Sequence, residues 1–229
     1  MANRPIFTIL DQRPYFTEVD TEFQFFSGFS ETQKRKSIES LHGSFLQNHP
    51  GRNPLEISTK STNPVGVALS AFNLKIRLAS GDECPLESVF QGSKVFEKGG
   101  PYTDLLTRFP WEAKKDSRLR TSGDIVSFQL GEQIFATEPK TFFYDWLYVT
   151  AVNCDPVLSK EIIKYDAFTD IEFNPKKSIN CQARSAAIFV SLAHQRLLDE
   201  ALVSPAAFSN VVYGQPVQDH FEPEQLTLF

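Results

Sequence analysis

Apolar residues in the segment 30–49 recur at Ile38, Leu41 and Phe45, a spacing that puts them on one face of a helix. Ser30 followed by Gln33 has capping-box spacing, so the helix is predicted to open at Ser30 and run to about His49. Its outward face carries Gln33-Lys34-Arg35-Lys36, readable as a solvated face or as a local phosphate-contact patch. Before it, residues 5–26 hold short β-like runs broken by Asp, Pro and Thr. After it, PGRNP (50–54) reads as a turn, and LEISTKS (55–61) and SAFNLKIRL (70–78) as strands. In PLESVFQGSKVF (85–96), Leu86, Val89 and Phe90 repeat at helical spacing, with Pro85 suited to the first turn. Glu87, Gln91 and Lys94 fall at i, i+4 and i+7 and form a second, polar stripe, either a solvated face or the wall of a site.

Further on, GGPYTDLL (99–106) and PWEAKKDSRL (110–119) read as short helices, and residues 123–137 as a hairpin. KTFFYDWLYVTAV (140–152) reads as an apolar, aromatic helix and SKEIIKYDAF (159–168) as a short one. Residues 179–202 are predicted to form the longest helix, with Ala183, Ala186 and Ala187 allowing close packing. After about Ser204, isolated aromatics mix with Pro, Gly and Gln and predict an extended tail. Helices dominate this reading and the strands are short, so the expected class is mainly α with short peripheral β-strands and hairpins.

With 229 residues the chain can build one good-sized core, or one core plus appendages. Its 21 Phe, against one Met and two Trp, predict a core rich in Phe and Leu. A net charge of −5 excludes a global basic field, so any nucleic-acid partner needs a local basic patch. Cys84, Cys154 and Cys181 are dispersed, which fits reduced thiols better than a disulfide frame. The start MANRPIFTIL has no apolar run of signal-peptide length, and no stretch reaches membrane-spanning length, so a cytoplasmic protein without membrane association is expected. His42, His49, His194 and His220 have no zinc-ligand spacing. Phosphate-binding loops and the GxGxxG and GxSxG motifs are absent.

What remains are polar residues in apolar surroundings: Glu87, Lys94, Asp145, Trp146 and Lys60, with Asp166, Asp170 and Asn180 around the loop that enters the last long helix. A carboxyl group in a hydrophobic wall has its pKa pushed up and serves as a general acid or base near neutrality. Each has a plainer alternative as a helix cap, half of a salt bridge or a core ring.

LSAF (69–72), LESVFQGSKVF (86–96), FPWEAKKD (109–116), the helix with Trp146, Asp170 and Asn180 occur in one order. That order resembles the YbiA-like NADAR superfamily. Glu87, Phe90, Gln91 and Lys94 match its E-x-x-F-Q-x-x-K helix; Pro110, Ala113 and Lys114 match its P-x-x-A-K segment. GGPYTDLL, FYDWLY and AFTDIEFNPKKSINCQARSA are similar to the branch that accompanies DarT toxins. The likeness covers roughly residues 1–205, with 1–54 as a branch-specific extension packed on the domain and 206–229 as the tail. Two features depart from the pattern. The Asn-x-x-G motif is Asn180-Cys-Gln-Ala183, and the Trp-Gly after the Asp is missing. The catalytic Asp is therefore Asp170 or Asp166, with Asp170 in the more family-like phrase.

The resemblance implies a hydrolase that removes ADP-ribose from guanine in DNA and so acts as antitoxin to a DarT-type DNA ADP-ribosyltransferase. The bond is N-glycosidic, and two carboxyl groups, one protonated and one ionised, suit its cleavage. Glu87 and Asp170 are expected in those roles, in either order. A lysine could instead form a Schiff base with the opened sugar, Lys60 first and Lys94 second; both are also candidates for phosphate pairing. Ser70 and Phe72 of the LSAF element are implied as substrate-binding residues. Trp146 is expected to pack on a ribose or base, Gln91 and Asn180 to donate to sugar hydroxyls, and the helix after Asn180 to hold a phosphate. No metal or organic cofactor is implied.

The chain ends QLTLF, in which Gln225, Leu226, Leu228 and Phe229 resemble the peptide that docks bacterial proteins on the DNA polymerase sliding clamp. Two rival readings remain: an N-glycosidase of ribosylamine phosphates of the riboflavin-pathway type, and a non-catalytic module that binds ADP-ribose or a toxin.

Overall fold

The computed structural model describes residues 1–28 and 30–215, so the QLTLF peptide lies outside the described residues. In chain order the elements are β1 (Ala2–Ile9), β2 (Phe16–Phe23), α1 (Glu31–Asn48), β3 (Pro54–Glu56), α2 (Pro64–Ala68), β4 (Lys75–Arg77), β5 (Glu83–Pro85), α3 (Leu86–Gly92) and β6 (Lys94–Phe96). After a 3-10 turn at Thr103–Leu105 come α4 (Pro110–Ala113), α5 (Arg118–Thr121), β7 (Ile125–Leu130), β8 (Gln133–Phe135), α6 (Phe142–Asn153), α7 (Pro156–Ile162), β9 (Ala167–Thr169), α8 (Gln182–His194), α9 (Leu198–Ala201) and α10 (Pro205–Tyr213). They divide between two compact units: Met1–Ser70 with Asp155–Leu198, and Ala71–Cys154 with the described residues from Asp199 onward.

The first unit is built on a sheet of order β2-β1-β9-β3. β1 and β2 pair antiparallel along their full length, from Ala2↔Phe23 to Ile9↔Phe16. β9 lies antiparallel to β1 and parallel to β3. Residues Pro5–Thr8 are buried in succession, as expected of a strand covered on both faces. α1 opens where its capping residue predicts, with Ser30 Oγ accepting from Gln33 N at 3.4 Å. Its apolar stripe Ile38, Leu41 and Phe45 packs with Ile6, Phe23, Ala167 and Ile171 in one core.

This corrects the expectation of a mainly α domain with peripheral strands. The chain is 40% helix and 19% strand, a mixed α/β protein with several sheets. The error has a physical source in β9. Three residues are too few to show a period, and Ala167 and Phe168 fall within the apolar spacing of SKEIIKYDAF. The helix stops at Ile162, and pairing to strands distant in sequence makes Ala167–Thr169 a buried interior strand. Similarly, only Leu55 and Glu56 of LEISTKS and only Lys75–Arg77 of SAFNLKIRL are strand. The longest helix is α1 with 18 residues; α8 has 13.

A tight approach fixes β3. An added Cβ on Gly66 of α2 would sit 2.0 Å from the Glu56 carbonyl oxygen and 2.6 Å from Ser61 Oγ. Backbone on one side cannot swing away, so Gly66→Ala is expected to destabilise the fold by about 3 kcal/mol in urea titration.

In the second unit, β6-β7-β8 form an antiparallel sheet and β4-β5 a two-stranded one. Every residue of α6 from Phe142 to Val152 is buried, as expected of a helix that is apolar all round. Phe143 stacks 4.7 Å from Phe128 and contacts Phe135 at 4.7 Å, and Phe90 lies 5.7 Å from Phe128. The chain after Ser204 is not yet the extended tail of the sequence reading. Ser204 Oγ caps α10 through Ala207 N, Phe208, Val211 and Val212 are buried, and Gly214 ends the helix at φ +69°.

Candidate active site

Two polar clusters stand in otherwise apolar surroundings, one in each unit. In the second unit, the stripe read from the sequence is only partly helical. Pro85 precedes the first turn of α3, the helix ends at Gly92, and Lys94 opens β6. All 7 residues of α3 are buried and Glu87 is 5% exposed, so the stripe is no solvated face. Gln91 Nε2 donates to Glu87 Oε1 at 3.0 Å, and Lys94 Nζ donates to Gln91 Oε1 at 2.7 Å. Lys114, from the end of α4, reaches the same Glu87 oxygen at 3.3 Å. Lys94 Nζ lies 4.7 Å over the Phe90 ring, and Lys114 Nζ 5.4 Å from that of Phe72. Burial pushes the Lys94 ammonium down to about 8, with Lys114 pushing the same way and Glu87 opposing. Lys114 was legible only as part of P-x-x-A-K; its pairing with Glu87 was not.

In the first unit, the parallel pairing of β3 and β9 sets Glu56 beside Thr169. Side chains that are partners in register share a face. Thr169 Oγ1 donates to Glu56 Oε2 at 2.5 Å and Ile171 N donates to Oε1 at 2.9 Å. Asp170 follows at the carboxyl end of β9. Its Oδ1 accepts from Glu172 N and Phe173 N at 3.0 and 3.2 Å. Gln182 Nε2, from the first turn of α8, reaches Asp170 Oδ2 at 3.0 Å and Ile57 O at 2.6 Å. Burial pushes the Asp170 carboxyl up to about 8, and the charge of Glu56 adds to this. Glu56 is itself raised by burial, against the hydrogen bonds it accepts. Two carboxyl groups so placed do not both ionise readily, and the pair retains a proton near neutrality. Sequence reasoning passed over Glu56, which looks like an outward position between Leu55 and Ile57.

The other predicted residues go elsewhere. Asp166 accepts from Asn53 N at 2.7 Å and pairs with Arg52 at 3.3 Å, which ties β9 to the turn before β3. Lys60 lies in the turn after β3, 3.6 Å from Glu31. Asn180 stands one residue before Cys181, the N-cap of α8, and its Oδ1 is buried with no hydrogen-bond partner among the described residues. Ser70 is buried. Trp146 is 3% exposed and packs on Phe135 at 5.0 Å inside the aromatic core. Asp145 accepts from Tyr213 of α10 at 2.5 Å. Lys34 of the basic run pairs with Glu172 at 2.9 Å, and Arg35 faces Glu31 at 3.7 Å.

His42 of α1 closes the first cluster, with Nε2 2.8 Å from Thr169 Oγ1. The Thr169 proton points to Glu56, so Nε2 is assigned as the hydrogen-bearing nitrogen of a neutral ring. Burial pushes the imidazole down to about 4. A group depressed in the folded state contributes stability that is present above pH 6.5 and lost as the pH falls toward 4. The stability of the wild type relative to His42→Gln is expected to fall by about 3 kcal/mol between pH 7 and pH 4 in urea titrations. Taking the difference between the two proteins removes the opposite contribution of the carboxyl pair.

Among the described residues, no three or more His, Cys, Asp or Glu are grouped as metal ligands, and no helix is long and apolar enough to cross a membrane. All three cysteines are free thiols.

The chain thus presents a mixed α/β fold with a lysine-paired, buried glutamate in the E-x-x-F-Q-x-x-K phrase and a proton-holding Asp–Glu pair. A family model described as DarT1-associated NADAR antitoxin matches residues 2–222. The chain belongs to that family, and NADAR proteins are generally glycosidase-like. No curated protein matches the chain.

Proposed function

We propose that the protein hydrolyses the N-glycosidic bond between ADP-ribose and guanine in DNA, and so reverses the modification made by a DarT-type toxin. The observation that carries this reading is the Asp170–Glu56 pair, which keeps a transferable proton near neutrality at the ends of two parallel strands. Membership of the antitoxin family supports the biological side of it.

In the proposed reaction the bond between the anomeric carbon and the exocyclic guanine nitrogen breaks. The carboxyl pair gives its proton to the departing nitrogen. Water adds its oxygen to the anomeric carbon and returns a proton to the pair. Positive charge develops on the sugar as the bond lengthens, and a second carboxylate suits its stabilisation; Glu87 is proposed for that role on the E-x-x-F-Q-x-x-K phrase alone. The products are ADP-ribose and unmodified guanine, with no net change in the enzyme. Lys94 and Lys114, which stand beside Glu87 in the second unit, suit the pyrophosphate. If an amine attacks the opened sugar instead, Lys94 is better suited than Lys60, because its lowered pKa leaves roughly a tenth of it unprotonated at pH 7.

The test compares two substrates at equal concentration: a single-stranded oligonucleotide carrying ADP-ribosylated guanine, and a ribosylamine phosphate. Release of ADP-ribose is expected to exceed ribosylamine cleavage by about a hundredfold or more in kcat/KM. Cleavage of the ribosylamine alone would overturn the proposal in favour of a metabolite glycosidase. Binding of ADP-ribose without turnover of either would make the protein a binding module.

A further inference from the structure

α4 carries a feature that the catalytic reading does not use. Pro110 and Ala113 turn inward and are buried, whereas Phe109 and Trp111 are 60% and 52% exposed. The two rings stack on each other, with centroids 4.6 Å apart and planes within 7° of parallel. Two large aromatics left in water on one short turn need a partner to explain them. The surrounding sequence indicates its charge. Residues 108–120 hold five basic side chains against two acidic ones, in a chain whose net charge is −5. Arg108 and Arg118 are held by Asp104, and Arg118 also by Asp116. Lys115 and Arg120 are exposed and pair with no carboxylate among the described residues. The surface also adjoins the Glu87 cluster. Ser88 Oγ of α3 donates to Arg108 O at 2.8 Å, and Lys114 of the same segment pairs with Glu87.

We propose that the Phe109–Trp111 stack, flanked by Lys115 and Arg120, is a platform on which bases of single-stranded DNA stack while the two cations meet the phosphates. Flat, sequence-tolerant aromatic faces beside unpaired cations are the chemistry that holds an unpaired strand. A second copy of the chain or an apolar protein surface would use the rings but has no need of the cations. The inference rests on DNA being the substrate, yet it concerns the strand and not the modified base.

The test uses the full chain and an unmodified oligothymidylate of about a dozen nucleotides, the length range of such sites. Trp146 is buried and Trp111 exposed, so the oligonucleotide is expected to quench the tryptophan emission that Trp111 contributes. Trp111→Phe should keep most of the affinity, measured by anisotropy of a labelled strand, and lose the quenching. Trp111→Ala and Phe109→Ala should each weaken binding about tenfold, and added salt should weaken it further. In hydrolysis assays Trp111→Ala should raise KM for a modified oligonucleotide and leave turnover of ADP-ribosylated guanosine unchanged. Wild-type affinity in both alanine variants would overturn the platform. So would a concentration-dependent dimer that Trp111→Ala abolishes and that binds no DNA. Strand binding through these rings with no hydrolysis of any modified guanine would leave the platform standing and remove the proposed activity.

Discussion

Asp170→Asn is expected to reduce release of ADP-ribose from modified guanine by about a thousandfold, within the range typical of a lost general acid. The substituted side chain keeps an oxygen for the Glu172 and Phe173 amides, so the loop that holds it should stay in place. The substitution removes the carboxyl that shares a proton with Glu56. The wild type should lose kcat as the pH rises through about 8, the value to which burial and Glu56 bring Asp170. A Lys94→Arg control keeps its charge across that range, so a fall that persists in it belongs to the carboxyl pair. Stability of the wild type should also fall as the pH rises, beginning at a lower pH. A carboxyl whose folded pKa is raised costs stability progressively between the usual carboxylate range and about pH 8. Asp170→Asn should therefore match the wild type at pH 4 and exceed it at pH 9 in thermal or urea unfolding. A variant that is inactive and also unstable at every pH would show that Asp170 is a structural cap.

The second large effect is expected of Glu87→Gln, again about a thousandfold in kcat. Glutamine fits the same space and can still meet Gln91. What disappears is the negative charge that faces Lys114 at 3.3 Å and opposes the fall in Lys94 proton affinity. Two amines are then left without their anion beside the Phe90 and Phe72 rings. Binding of the anionic ADP-ribose part should not weaken, because the cluster has become more positive. The signature is thus a large drop in kcat with KM unchanged or lower, which marks a charge used in the transition state rather than in binding. A rise in KM with kcat preserved would make Glu87 a substrate-positioning group only.

The sequence was legible wherever the signal was local. Ser30 and Gln33 announced the start of α1, the apolar run announced the buried α6, and residues 123–137 announced the β7–β8 hairpin. The E-x-x-F-Q-x-x-K phrase pointed to Glu87 and Gln91, although Lys94 joins them from a strand rather than the helix. What was missed depends on partners distant along the chain. β9 is a strand because β1 and β3 flank it, and Glu56 meets Thr169 only through a parallel register spanning more than a hundred residues. For the same reason His42 gave no signal in the sequence beyond its lack of zinc-ligand spacing. Trp146 was visible as an unusual residue expected to pack on a ribose or base, but its neighbours were not, and they bury it against Phe135 in the aromatic core, the plainer alternative. The mainly α expectation failed on these short, long-range strands, and α10 was obscured by the Pro in its first turn and the Gly that ends it.

The most direct measurement is the intact mass of a single-stranded oligonucleotide carrying one ADP-ribosylated guanine, followed over time with purified wild-type protein and with Glu87→Gln in parallel. The account predicts that the wild type removes the whole ADP-ribosyl mass and restores the unmodified strand, while the variant leaves the modification in place. A strand that keeps its full modified mass with wild-type protein, or that is restored equally fast by Glu87→Gln, would contradict it.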